Sequence, residues 1–302
     1  MTYEDTLREI VRRDERVMVL TAENRAAIRN LPHELNGRFI DTGITAGLAL
    51  RGRVPVIHAL AAFLTMRAFE FVRTDVGIAG LPVKLVGGVA GFLSEANGPT
   101  HQAIEDVALM RGIPPMHIFC PADEQDLIIG LPHLLASPQP VYIRHTALPP
   151  VVEHDPHFEI GRAERIADGS DVTILVYGML LKQAIQARDI LQRQEVSVRL
   201  LNMRMLKPVD AEAILAAADT RLLVTLEDHF ITGGLYAIVC ELLVRHQIRR
   251  PVLPLALDQR WFKPALLDDV LAYEGFTGPD LADQIRRFAI RQQLAGWPAD
   301  QG

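Results

Sequence analysis

His101 is the residue of this sequence best placed to do chemistry. It lies in GPTHQ, residues 98–102, behind a glycine and a proline that turn the chain and let backbone approach a ligand closely. An imidazole there can donate to a carbonyl oxygen or act as acid and base near neutral pH. Spacing alone favours a plainer role, a helix-start histidine bonded to its own turn. Phe63, with Phe69 and Phe71 after it, offers a ring for stacking or for an ordinary core. Arg144 ends the apolar run PVYIR, and its planar fork suits either an oxyanion or a structural salt bridge. Glu23 and Asn24 follow VMVLT, at the carboxyl end of an expected strand, where open α/β sheets place ligands; a solvated loop acid is the alternative. His154 and His157 lie in a loop with no further ligands, so we expect no metal there.

The elements that would position these groups read as alternating strands and helices. Val17–Leu20, Arg38–Asp41, Val54–Ala61, Leu81–Gly87, Met116–Phe119 and Pro140–Arg144 are short apolar runs bounded by turn residues. Leu7, Ile10 and Val11 make an apolar stripe on an opening helix, and Asp123–Ala136 is a further helix. Ile104, Val107 and Ala108 place one apolar helix face right after GPTHQ, which puts His101 at a helix start. Prolines and polar residues from Pro149 to His157 mark a connection. Strands at Val172–Gly178, Val196–Leu201 and Leu222–Glu227 then alternate with helices at Ala184–Arg193, Ala211–Ala218 and Leu235–Arg245. The fold class is α/β: two parallel-sheet domains, residues 1–148 and 166–302, joined by a linker over 149–165.

Composition narrows the function classes. The chain has 302 residues, 49% hydrophobic and 23% charged, with a net charge of −6, which fits two full cores and argues against non-specific nucleic-acid binding. No apolar run is long enough to span a bilayer, and the charged start MTYEDTLREIVRRDERV is not a signal peptide. Cys120 and Cys240 lie in apolar settings and read as buried thiols, so neither a disulfide framework nor a zinc site is expected. The cytoplasm is the expected location.

GPTHQ followed by IEDVALMRGIPPMHIFCPAD resembles the pyrimidine-binding domain of transketolases and 1-deoxyxylulose-5-phosphate synthases. RFID-x-GI at residues 38–44, AFLTMRAFEFVR at 62–73 and GVAGFLSEANGPTHQ at 88–102 extend the resemblance. In the second half, LLNMRMLKPVD and LVTLEDHFITGGLYA are similar to the carboxyl-terminal domain of the same family. The resemblance implies thiamine diphosphate as cofactor, with Phe63 stacking on the aminopyrimidine, Leu60 as a second wall and Glu23 near the cofactor. It implies His101 at the substrate carbonyl, Asn97 at the position that reads a substrate hydroxyl, and Arg144 at the substrate's terminal anion. His229 is expected to be structural, with an approach to the active site across a subunit interface as the alternative.

Three departures stand out. The segment that carries the family's catalytic glutamate, which hydrogen-bonds the thiamine pyrimidine, is missing after Ile44, and no glutamate lies between Asp41 and Arg53. Val89 stands where sugar-handling members have a histidine, and Asn97 where they have an aspartate. No GDG motif for magnesium and the diphosphate is present. The resemblance therefore implies the carboxyl-terminal subunit of a split transketolase-like transferase. A separate amino-terminal subunit would hold magnesium and the diphosphate, in a heterotetramer built on a dimer of this chain. Two rival readings are acyl transfer of the deoxyxylulose-phosphate-synthase or pyruvate-dehydrogenase-beta kind, and a non-catalytic scaffold or regulatory subunit.

Overall fold

The opening helix forms because Thr2 and Asp5 cap each other reciprocally, Thr2 accepting from the Asp5 N–H and Asp5 from the Thr2 N–H. This helix, α1 (Tyr3–Arg13), buries Tyr3, Leu7 and Val11 against the first sheet. The computed structural model describes residues 2–21, 28, 31–35, 38–41, 46–294 and 297. The strands of the first half are β1 (Val17–Thr21), β2 (Phe39–Asp41), β3 (Val54–Leu60), β4 (Lys84–Gly88), β5 (His117–Phe119) and β6 (Val141–Arg144). They pair in parallel. The side chains of β1, β3 and β4 are buried on both faces, as apolar runs such as VMVLT require. The helices between them are α2 (Leu31–Glu34), α3 (Phe69–Phe71), α4 (Asp106–Arg111) and α5 (Glu124–Ala136). Asp123 caps α5 by accepting from the Asp126 N–H at 3.1 Å.

The second half contributes β7 (Glu164–Ala167), β8 (Val172–Val176), β9 (Val198–Asn202), β10 (Met205–Lys207), β11 (Leu222–Phe230) and β12 (Val252–Leu257). Its helices are α6 (Leu181–Arg193), α7 (Ala211–Ala217), α8 (Leu235–Arg245), α9 (Leu267–Glu274) and α10 (Gly278–Arg291). Its sheet runs β12-β11-β8-β9-β7, parallel except for β7, which lies antiparallel on β9. β10 leaves that sheet and pairs antiparallel with β5, so the first sheet runs β10-β5-β6-β4-β3-β1-β2. The two expected parallel sheets are thus present, each with one antiparallel edge strand. Runs as short as MLK and ERIA carry too little periodicity to announce a strand. The β10 crossing ties the two halves together, and one apolar cluster joins Ile118 and Cys120 to Met203, Leu206 and Leu235.

Candidate active site

The carboxyl end of β3 sets the floor of the site. Leu60 closes the strand half-buried, and the chain turns directly into a helical run over residues 61–79. That run contains wide turns, seen where the Ala68 N–H donates to the Phe63 carbonyl at 2.9 Å. Such turns re-aim side chains and concentrate at functional sites. Phe63 is half-buried and borders a cluster made of Ala61, Ala62, Ala90 and Ala103. Met66 packs against the same four small side chains. Around the same ring lie His101, with centroids 5.3 Å apart, and the Arg67 guanidinium, 4.5 Å from the centroid. Arg67 also donates to the Thr100 carbonyl at 2.8 Å, so one side chain braces both the ring and the GPTHQ turn.

His101 lies in that turn and not at a helix start, which corrects the periodicity reading: α4 begins only at Asp106. Ile104 and Val107 are both buried as expected, but Ile104 packs from the bend that precedes α4. The His101 N–H donates to the Gly98 carbonyl at 2.9 Å, and its Nδ1 meets Thr100 Oγ1 at 2.9 Å. The histidine is half-buried, and its Nε2 has no hydrogen-bond partner among the described residues. Asn97 is exposed on the same loop. Val89, just past β4, has a φ of +59°, a left-handed backbone that a β-branched residue adopts only under constraint.

Arg144 is placed away from any open surface. It is 6% exposed. Its Nε pairs with Asp106 at 2.9 Å and one terminal nitrogen with Asp228 at 2.6 Å. Tyr142 donates to the same Asp106 at 2.6 Å. Of the two sequence readings, the buried salt bridge is the one the geometry displays, because two carboxylates already occupy the guanidinium. The triplet Glu227, Asp228 and His229 belongs to the same junction. Glu227 accepts from the Leu235 and Tyr236 N–H groups at 2.6 and 2.9 Å, capping α8. Burial raises its carboxyl to about 7, against the pull of those two N–H groups. Gly234 is required there, since a Cβ would lie 2.0 Å from Glu227 Oε2. His229 is buried, bonded through Nδ1 to the Phe230 carbonyl and through Nε2 to the Ala108 N–H, and burial lowers its pKa to about 4. Within this chain His229 has the structural role expected of it.

A second buried network closes the linker. His154 bridges Asp123 and Glu164, at 2.8 Å to each. Arg204 pairs with Glu164 at 2.6 Å and with Asp126 at 3.1 Å. Asn202 donates to Asp126 and to Glu164, both at 3.0 Å. Burial alone would lower the His154 pKa, but its bonds to Asp123 and Glu164 outweigh that and raise it to about 10. Asp126, His154 and Glu164 are close enough to suggest metal ligands. An imidazolium and a guanidinium already supply the positive charge among them, so the set suits a salt-bridge network better than a cation.

Glu23 lies outside the described residues, as do Thr42–Thr45, where the shortened segment falls; Ala46–Arg51 continues as a 3₁₀ turn. Sequence reasoning brought Phe63, Leu60, His101 and Asn97 to one end of the first sheet. It missed Asp106 and Asp228 as the partners of Arg144, and Gln102, whose side chain reaches the second half of the chain. For the two aspartates the signal was the pair of triplets IED and EDH, and spacing gives no hint that they meet.

Residues 1–147 match the pyrimidine binding domain of transketolases, and residues 161–281 match the transketolase C-terminal domain. The chain is 38% identical to the 6-deoxy-6-sulfo-D-fructose transketolase subunit SqwH of a Clostridium species, over 80% of this chain and 79% of that protein. It is 34% identical to a subunit of the apulose-4-phosphate transketolase of Phocaeicola vulgatus, over 82% and 84% of the two. Among solved structures, a split gene transketolase described as an inactive beta4 tetramer superimposes with a TM-score of 0.84 at 30% identity, covering 94% of this chain and 96% of that one. No described helix is long and apolar enough to cross a membrane.

Proposed function

Since this chain belongs to the transketolase family, whose members are thiamine-diphosphate-dependent transferases, we propose that it is the carboxyl-terminal subunit of a two-subunit transketolase. The pair would move a ketol unit from a ketose to an aldehyde. The observation that carries this reading is the half-buried Phe63 ring beside His101, bordered by Ala61, Ala62, Ala90 and Ala103. In this reading Phe63 offers a face to a flat aminopyrimidine and Leu60 a wall, with only small side chains and Met66 at the ring's border. The sequence carries no GDG motif for the other end of the cofactor. Magnesium and the diphosphate would fall to an amino-terminal partner, a reading supported by relatives that are named as subunits.

The cofactor supplies the carbanion chemistry when bound. This chain's residues bind and orient. His101 Nε2 would donate to the oxygen of the substrate carbonyl, or take a proton from a substrate hydroxyl, while Thr100 Oγ1 at Nδ1 holds its ring. Asn97 offers an amide to a substrate hydroxyl, and Val89 presents an apolar wall where sugar-handling relatives of the sequence pattern place an imidazole. The substrates named for the two relatives are a sulfo-sugar and a sugar phosphate; a substrate of that kind would need a cation other than the occupied Arg144. Assembly as a heterotetramer on a dimer of this chain, in the cytoplasm, completes the proposal. Both cysteines are free thiols; Cys120 is buried as expected, whereas Cys240 is half-buried and departs from that expectation.

The test is co-purification with the partner subunit, followed by thiamine diphosphate binding and ketol transfer in magnesium. A complex that binds no thiamine diphosphate ends this reading. Matches at 32% identity to 1-deoxy-D-xylulose-5-phosphate synthase favour a second reading, acyl transfer from a 2-oxo acid, which release of carbon dioxide would reveal. The missing glutamate segment favours a third, a scaffold role; full turnover by the partner alone would establish it.

A further inference from the structure

Gln102, next to His101, is fully buried, and its side chain reaches across to the second half of the chain. Its Nε2 donates to the Phe262 carbonyl at 2.9 Å and to the Asn97 carbonyl at 3.3 Å. Both partners are acceptors, so the amide has one chemically sensible orientation, with nitrogen toward them. Its Oε1 is buried without a hydrogen-bond partner among the described residues. The segment that carries Phe262 makes a second tie, from the Ala265 N–H to the Glu95 carbonyl at 3.0 Å. The Phe262 ring is buried against Phe92, centroids 5.4 Å apart. Beyond His101, the Phe230 N–H donates to the Ile104 carbonyl at 2.8 Å. The loop is therefore gripped from the second half on both sides of His101, while His101 and Asn97 themselves remain accessible.

We infer that Gln102 is a positioning residue, through which the second half of the chain fixes the turn that presents His101 and Asn97. The inference rests on the function proposed above. A displacement of about 1 Å in such a turn costs on the order of a hundredfold in rate, so one amide spanning two carbonyls is enough to matter. A carboxylate in its place would face both carbonyls with an acceptor and push the turn away.

The test uses Gln102→Leu and Gln102→Glu in the full complex, with Gln102→Asn as the milder variant. Both larger changes should lower kcat roughly tenfold or more with less than about a threefold change in KM. In a His101→Ala background the same changes should cost almost nothing. An equal cost with and without His101, or an unchanged kcat, overturns the inference. Amide hydrogen exchange in the full chain gives an independent reading: residues 98–105 should exchange about tenfold faster in Gln102→Leu, with β8 unchanged. Unchanged exchange at 98–105 overturns the inference as well. If the wild-type complex transfers no ketol unit, the proposed function fails, and the exchange result alone decides the role of Gln102.

Discussion

At the junction of the two halves, Arg144, Asp106, Asp228, Glu227 and His229 are buried and each has a partner. At the end of β3, Phe63, His101 and Asn97 are half-buried or exposed, and the cation among them, Arg67, lies over a ring and bonds a carbonyl. The residue types most often associated with catalysis are therefore densest where no substrate can reach. What separates the two regions is occupancy. A guanidinium with two carboxylates in contact is a structural cation, whereas an imidazole with one nitrogen unbonded among the described residues, beside a half-buried ring, is available for chemistry.

The sharpest way to break this comparison is to exchange the two roles by mutation. Arg144→Ala leaves Asp106 and Asp228 without their cation, and should cost about 3–5 kcal/mol of stability, read from urea unfolding. Arg144→Lys should recover only part of that, because a point charge cannot fork between two carboxylates. His101→Ala should leave the unfolding midpoint nearly unchanged while lowering kcat of the complex about a hundredfold. If Arg144→Ala folded normally and lost only substrate affinity, the assignment of the two regions would be reversed.

How far the sequence showed this division follows from the kind of signal each region carries. Leu235–Arg245 is a helix with the bounds its pattern gives, and the buried runs of β1, β3, β6 and β8 are apolar enough to be read directly. β7 and β10 were invisible because an edge strand of a few residues is defined by its neighbour and not by its own periodicity. The placement of Phe63 beside His101 was legible because each belongs to a long motif. Arg144 was read at a motif position too, but its partners lie far off in sequence, Asp106 in one triplet and Asp228 in another, and no local rule pairs them. The wide turns after Ala61 also escaped, since AFLTMRAFEFVR satisfies an ordinary helical pattern equally well.

Two smaller effects sharpen the comparison. His154 is held at about 10, above its ordinary 6.5, so its contribution to stability is complete below pH 6.5 and lost as pH rises through about 10. Glu164 is held at about 2, below its ordinary 4.5, so its contribution is present above pH 4.5 and lost as pH falls through about 2. His154→Gln should flatten the alkaline limb of a stability profile and cost about 1–3 kcal/mol at neutral pH, with kcat per folded complex unchanged. Phe63→Ala should act the other way, leaving thermal stability nearly intact and weakening thiamine diphosphate binding by roughly five- to tenfold, the loss of one aromatic face.

The most direct test of the central claim, that this chain provides the pyrimidine half of a working thiamine site, is deuterium exchange at the thiazolium carbon. It would be followed by quenched-flow NMR in the complex with the partner subunit, thiamine diphosphate and magnesium. Exchange well above that of free cofactor, and reduced by Phe63→Ala, is the predicted result. It would mean that the site activates the cofactor although no glutamate lies between Asp41 and Arg53. Exchange at the free-cofactor rate with the cofactor bound, and still slow when ketose donors are added, would contradict the claim and leave the chain a scaffold.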